Sequence, residues 1–167
     1  MKEINQEILD CAKKIKLLLM DCDGVLTDGR LYYSERGEEL KVFHVRDGQG
    51  IVMWHEAGFQ TGIITGRNSP IVDKRANELG MHYVKVGSKD KNKDFEVVFQ
   101  QSGLNLEEIA YIGDDLPDII LMKKVGFPIT VKDGAQDVLP FAKYITNNNG
   151  GLGAVREVID LLIKSKS

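Results

Sequence analysis

The sequence predicts an α/β fold in which a central parallel sheet carries helices on both faces, and three observations lead to it. The run Leu17-Leu18-Leu19-Met20 is apolar without alternation and has strand length, the pattern of a strand buried on both sides. Further β-prone runs alternate with helix-period segments along the chain, the order from which right-handed crossovers build a parallel sheet. Three of these strands end in polar clusters, at the carboxyl ends where open sheets of this kind bind their ligands.

The elements follow in order. Residues 4–15 place Ile4, Ile8, Cys11, Ala12 and Ile15 at spacings of three and four, which predicts an amphipathic helix lying on the body. The first strand, 17–20, runs into Asp21-Cys22-Asp23-Gly24-Val25-Leu26-Thr27-Asp28-Gly29, a loop rich in turn residues. Two β-prone runs, 31–34 and 40–45, flank the polar turn 35–39 and predict a β-hairpin beside the acidic loop. Residues 46–50 break the strand pattern, and a short helix is expected from Ile51 to Ala57, stopped by Gly58.

A second core strand, 61–64, ends in Thr65-Gly66-Arg67. Ser69-Pro70 then supplies a cap and a first-turn proline for a helix that closes at Gly80. A strand at 83–86, a polar segment at 87–93 and a helix through Phe95, Val98 and Phe99 come next. Residues 107–112 read as a strand ending in Gly113-Asp114-Asp115-Leu116-Pro117-Asp118. It is followed by a helix at 119–122, a strand at 128–131, a short helix at 136–139 and a short strand at 144–146. The loop 147–153 is rich in Asn and Gly and leads into a last helix carrying Val155, Val158, Ile159, Leu162 and Ile163.

Composition bounds the function. The 167 residues are 43% hydrophobic and 28% charged, with neither repeat nor linker, so one domain over 1–167 is expected. A net charge of −3 gives no basic footprint for nucleic acid. No apolar stretch has membrane-spanning length, and residues 1–5 lack a basic start with an apolar core, which makes a cytoplasmic location the default expectation. Cys11 and Cys22 are too few for a disulfide framework and read as reduced structural thiols. His44, His55 and His82 have no metal-site spacing and read as packing or surface residues.

The strand-end clusters carry the chemistry. Carboxyl ends of neighbouring parallel strands converge, so Asp21, Asp23, Thr65, Gly66, Arg67, Asp114, Asp115 and Asp118 are expected around one pocket. An isolated Asp-x-Asp is commonly a solvated turn, but three acids at converging strand ends repel one another without a cation. Carboxylates holding a divalent ion, with hydroxyl, amide and ammonium groups around them, are the parts that phosphoryl transfer requires.

In these motifs and their order the sequence resembles the haloacid dehalogenase (HAD) superfamily of aspartyl-phosphate phosphatases, over 16–164. The resemblance implies a Rossmann-like HAD fold with a hairpin flap and, given the short segment between the first two motifs, no cap domain. Within the superfamily, residues 23–29, Val45-Arg46-Asp47-Gly48 and the segment 150–157 resemble the 3-deoxy-D-manno-octulosonate 8-phosphate phosphatase family. It releases phosphate during synthesis of a lipopolysaccharide sugar, and its members are homotetramers.

The resemblance implies roles residue by residue. Asp21 is the nucleophile and Asp23 the general acid and base. Thr65 and Gly66 bind the phosphoryl group. Lys91, selected by the family motif from the basic run Lys85, Lys89, Lys91 and Lys93, neutralises it. Magnesium is held by Asp21, Asp114 and the Asp23 main-chain carbonyl, with Asp115 and Asp118 as outer supports. Arg67 suits the carboxylate of a sugar acid. The chain departs from the family at Leu152, where many relatives carry an arginine. The alternatives from the same reading are a nonulosonate 9-phosphate phosphatase, a receiver-type signalling domain and a non-catalytic oligomerisation module.

Overall fold

The computed structural model describes residues 5–166, the side chains of Glu38 and Glu39 apart, so the expectations for residues 1–4, Ile4 included, lie outside the described residues. Helix α1, Gln6–Lys14, is capped by the Asn5 side chain and buries Ala12 in the core. Strand β1 is Leu17–Met20, every side chain buried. The hairpin is β2, Tyr32–Ser34, with β3, Gly37–Leu40. Then come α2 (Val45–Glu56), β4 (Gln60–Thr65), α3 (Pro70–Glu78), β5 (Tyr83–Val86) and α4 (Lys91–Ser102). The chain continues through β6 (Ile109–Gly113), α5 (Ile119–Met122), β7 (Phe127–Thr130), β8 (Tyr144–Ile145) and α6 (Ala154–Lys164).

Six strands form one parallel sheet in the order β5-β4-β1-β6-β7-β8. Strand β1 lies between β4 and β6, with Leu17 opposite Gln60 on one side and Ile109 on the other. The chain builds outward from β1 in one direction and then in the other, so the crevice at its carboxyl end is a topological switch point. Alternation along β1 sends its side chains to two layers. Leu18 and Met20 pack with α1, α2 and α6 through Ala12, Ile51, Trp54, Val155 and Val158. Leu17 and Leu19 pack with α4 and α5 through Phe95, Val98 and Leu121. Each fully buried aliphatic side chain contributes about 1.5–3 kcal/mol, which sets β1 at the centre of both layers. The α/β class, with helices on both faces, is as the sequence predicts.

Three local expectations are corrected. The second hairpin arm ends at Leu40, and α2 begins at Val45, because the His44 side chain accepts the Arg46 N–H as a cap. Residues 46–50, expected to be a break, are therefore helical. Their glycines face packed arginines: a Cβ on Gly48 would lie 2.4 Å from the Arg75 guanidinium, and one on Gly50 3.0 Å from the Arg156 side chain. Tertiary packing overrides their poor helix propensity. Glu107 and Glu108 form a 3₁₀ turn instead of the start of a strand, with the Glu108 carboxylate accepting the Asn105 N–H. The short helix expected at 136–139 is a 3₁₀ turn at Leu139–Phe141.

Candidate active site

The site is assembled at the carboxyl ends of β1, β4 and β6. Asp21 follows β1 directly, and its N–H still donates to the Ile112 carbonyl at 3.0 Å, so the nucleophile candidate is held in register with the sheet. The chain then turns: the amides of Val25, Leu26 and Thr27 all converge on the Cys22 carbonyl. Asp23 leaves the strand direction in that turn, and the two acids meet different partners. Gly24 completes the turn at φ +90°, with the Asp114 carboxylate where a side chain would stand; a Cβ there would lie 2.1 Å from Asp114 Oδ2.

Lys91, the first residue of α4, reaches the centre of the cluster with a side chain only 9% exposed. Its Nζ lies 3.1 Å from Asp21 Oδ1 and 2.7 Å from Asp118 Oδ1. Lys89 lines the same cavity without such an ion pair being formed to Asp21 among the described residues. Asp118 is 1% exposed and ties the centre together. Its Oδ1 also accepts the Tyr111 hydroxyl at 2.6 Å, while Oδ2 accepts the backbone N–H groups of Asp114 and Asp115 at 2.9 and 3.2 Å. Asp115, by contrast, is exposed, and its carboxylate accepts the Leu116 N–H of its own turn at 2.7 Å.

Asp23 lies between two cations. Lys41 Nζ donates to its Oδ1 at 2.5 Å, and Arg67 Nε stands 3.5 Å from its Oδ2. The Arg67 guanidinium also donates to the Tyr33 hydroxyl on β2. Thr65 ends β4 and is buried, and its carbonyl accepts the Ser88 N–H, which brings the loop after β5 over Gly66. Asp21, Asp23, Thr65, Gly66, Lys91 and Asp114 line one cavity of about 630 Å³, ample for a small phosphorylated molecule.

The electrostatics describe a cation-deficient site. Burial, opposed by Lys91 and reinforced by Asp118, pushes Asp21 up to about 6. Burial and the charges of Asp21 and Asp118 push Asp114 up to about 8. Burial would lower Lys91, but Asp21 and Asp118 outweigh it and raise it. One ammonium serves three acids. Carboxylate oxygens of Asp21, Asp114 and Asp118 fall within 4.8 Å of one another, and Asp114 Oδ1 is buried without a hydrogen-bond partner. An oxygen-only cluster with an orphaned buried carboxylate oxygen fits a hard divalent ion such as magnesium. Asp118 is already engaged by Lys91, Tyr111 and two amides, which leaves Asp21 and Asp114 as the side chains able to hold the ion.

Two participants, Lys41 and Tyr111, carry no motif in the sequence. Lys41 lies in a run of the hairpin, and Tyr111 in a core strand. The only signal for Lys41 was a lysine in an otherwise apolar run, Leu40-Lys41-Val42-Phe43. His44 caps α2, and His55 bonds the Thr61 hydroxyl at 2.7 Å, both away from the cavity.

Comparison with known proteins identifies the family of the chain. Residues 47–126 match the model of the haloacid dehalogenase-like hydrolases. The 3-deoxy-D-manno-octulosonate 8-phosphate phosphatase KdsC of Escherichia coli strain K12 is 41% identical over 160 residues, covering 96% of this chain and 85% of that protein. The crystal structure of the corresponding phosphatase from Yersinia pestis superposes with a TM-score of 0.95 at 40% identity, covering 98% of this chain and 88% of that one. The enzyme from Moraxella catarrhalis, solved with magnesium, phosphate and a KDO molecule, superposes with a TM-score of 0.93 at 42% identity, covering 98% and 94%.

Proposed function

Because the chain belongs to the haloacid dehalogenase-like hydrolases, we propose that it is a magnesium-dependent phosphomonoesterase that converts 3-deoxy-D-manno-octulosonate 8-phosphate to the free sugar acid and phosphate. The observation that carries the reading is the convergence of Asp21, Lys91 and Asp114 at the end of β1, in a chain 41% identical over 96% of its length to a phosphatase of that name.

The roles are those the family resemblance implies, and the positions of the residues around one cavity support them. Asp21 attacks phosphorus and forms an aspartyl-phosphate, which divides one difficult displacement into two easier ones. Asp23 protonates the departing sugar oxygen and then takes a proton from the attacking water. Thr65 and Gly66 cradle the phosphoryl oxygens, and Lys91 balances their charge while orienting Asp21. Asp21, Asp114 and the Asp23 main-chain carbonyl would hold magnesium, which supplies charge neutralisation for the nucleophile and the phosphoryl group when bound. Asp118 fixes Lys91 and the Asp114 backbone, and Asp115 shapes the turn between them. Arg67, at the cavity wall, offers a planar fork to the sugar-acid carboxylate.

The proposal extends to a homotetramer. Leu31, Tyr32, Tyr33, Leu40, Val42 and Val45 expose apolar surface on and beside the hairpin, which supports assembly of copies through this face. It extends also to a cytoplasmic setting, supported by Cys11 and Cys22, neither of which forms a disulfide among the described residues. No helix among the described residues is long and apolar enough to cross a membrane. The test is phosphate release from a panel of sugar phosphates under saturating magnesium. Wild type should exceed Asp21→Asn by orders of magnitude on the octulosonate phosphate; equal rates refute the assignment. The ratio of kcat/KM for the octulosonate and nonulosonate phosphates decides the sugar.

A further inference from the structure

The segment leaving the hairpin carries a charge inward. Lys41 stands one residue after β3, in the stretch that leads to α2, and its side chain is 1% exposed. Burial of an ammonium group costs several kcal/mol unless a partner charge in good geometry offsets it. Asp23 is such a partner, its Oδ1 accepting from Lys41 Nζ at 2.5 Å. Asp23 Oδ2 is buried and makes no hydrogen bond among the described residues, with Arg67 Nε 3.5 Å away. Arg67 is in turn met by Tyr33 of β2, so the hairpin strands and their exit segment reach both cations beside Asp23.

We propose that Lys41 is a positioning residue for Asp23: its ammonium pins Oδ1, fixes the rotation of the carboxyl group and leaves Oδ2 as the oxygen that passes the proton. The inference rests on the reading of Asp23 as acid and base. In the first step the Asp21 oxygen–phosphorus bond forms as the bond from phosphorus to the sugar oxygen breaks, and the proton on Asp23 Oδ2 moves to that oxygen. In the second, a water oxygen bonds to phosphorus as the Asp21–phosphorus bond breaks, and the water proton returns to Oδ2. Lys41 exchanges no proton in either step. Its contribution is orientation, which matters because small misplacements of a reacting group cost large factors in rate.

The experiment uses the leaving group as the readout, on the full chain with magnesium. An alkyl alcohol such as the sugar must be protonated as it departs, whereas p-nitrophenolate leaves as a stable anion. Asp23→Ala should lose about 10²-fold or more in kcat on the octulosonate phosphate and at most about tenfold on p-nitrophenyl phosphate. Lys41→Met should show the same skew, with a loss on the sugar phosphate about tenfold greater than on the aryl phosphate, and Lys41→Arg should restore most of it. Equal slowing of both substrates by Lys41→Met, or no slowing, overturns the proposal. If Asp23→Ala itself shows no skew, it is the acid–base reading of Asp23 that fails. Should Lys41→Met not fold, Lys41→Gln gives the same comparison.

Discussion

Lys91 is the residue on which the charge balance of the cavity turns. It faces Asp21 and Asp118 at 3.1 and 2.7 Å with only 9% of its side chain exposed, so its removal strands two acids in a poorly solvated site. Breaking a buried pair from one side costs about 3–5 kcal/mol. Lys91→Met is therefore expected to lower stability by roughly 3 kcal/mol, measured by urea denaturation, and kcat by about 10²–10³-fold. The acids themselves set a pH dependence. Asp21 at about 6 and Asp114 at about 8 lie above their ordinary value of 3.8, so the folded protein holds more protons than the unfolded chain across that window. Without metal, stability should fall as pH rises from about 4 through about 8. A divalent cation binds the deprotonated acids, so the stabilisation by magnesium should grow over the same range. Melting temperatures in EDTA and in excess magnesium check both trends. Asp114→Asn should be more stable than wild type in EDTA at about pH 8, by on the order of 2 kcal/mol, and lose most of the magnesium response.

At the scale of elements, helix α6 and the loop before it buttress the catalytic turn. Glu157, in the first turn of α6, accepts the Tyr144 hydroxyl at 2.7 Å, the backbone N–H groups of Asn147 and Asn148 at 2.8 and 3.0 Å, and both of their side-chain amides. Burial would raise its carboxyl, but these donors outweigh it and hold it below the usual glutamate range. That contribution is present above the unfolded-state value and is lost as pH falls through the folded one. The buried Asp47 of α2 caps the other side, accepting the N–H groups of Gly153 and Arg156 at 3.3 and 2.7 Å. Between them Gly150 lies on the Gly24 carbonyl so closely that a Cβ would come within 1.7 Å of its oxygen. The loop that follows Asp23 therefore rests on the C-terminal loop. Glu157→Gln should cost about 1–2 kcal/mol and raise hydrogen exchange at Asn147 and Asn148. Gly150→Ala should displace the turn carrying Asp23 and reduce kcat/KM about 10²-fold, read in a steady-state assay.

For the whole molecule, the two apolar layers share one sheet, with Leu17 and Leu19 in one and Leu18 and Met20 in the other. Neither layer can be lost without exposing β1, so the chain should unfold as one cooperative unit. The single tryptophan, Trp54, is fully buried and stacked on Phe59 with ring centroids 4.2 Å apart. Its fluorescence and the far-UV circular dichroism should give coincident denaturant transitions, and separated transitions would mean more than one folding unit.

What the sequence by itself determined was periodicity and punctuation. The unbroken run at 17–20 and the alternation of strand and helix patterns specify a parallel sheet. The acids and threonine at its strand ends specify where Asp21, Thr65 and Asp114 gather, because parallel strands deliver their carboxyl ends to one edge, whereas Lys91 stands out from its basic run only through the family motif. What only the tertiary structure decided were contacts whose cause lies far along the chain. Gly48 and Gly50 are helical because arginines of α3 and α6 fill the space beside them. Tyr111 became a polar partner because Asp118 and Lys91 stand at its hydroxyl. Lys41 became a buried cation because the chain folds it onto Asp23, eighteen positions earlier. Local pattern records which surface a residue prefers, whereas the partner that makes burial of a charge tolerable is supplied only when distant segments close around it.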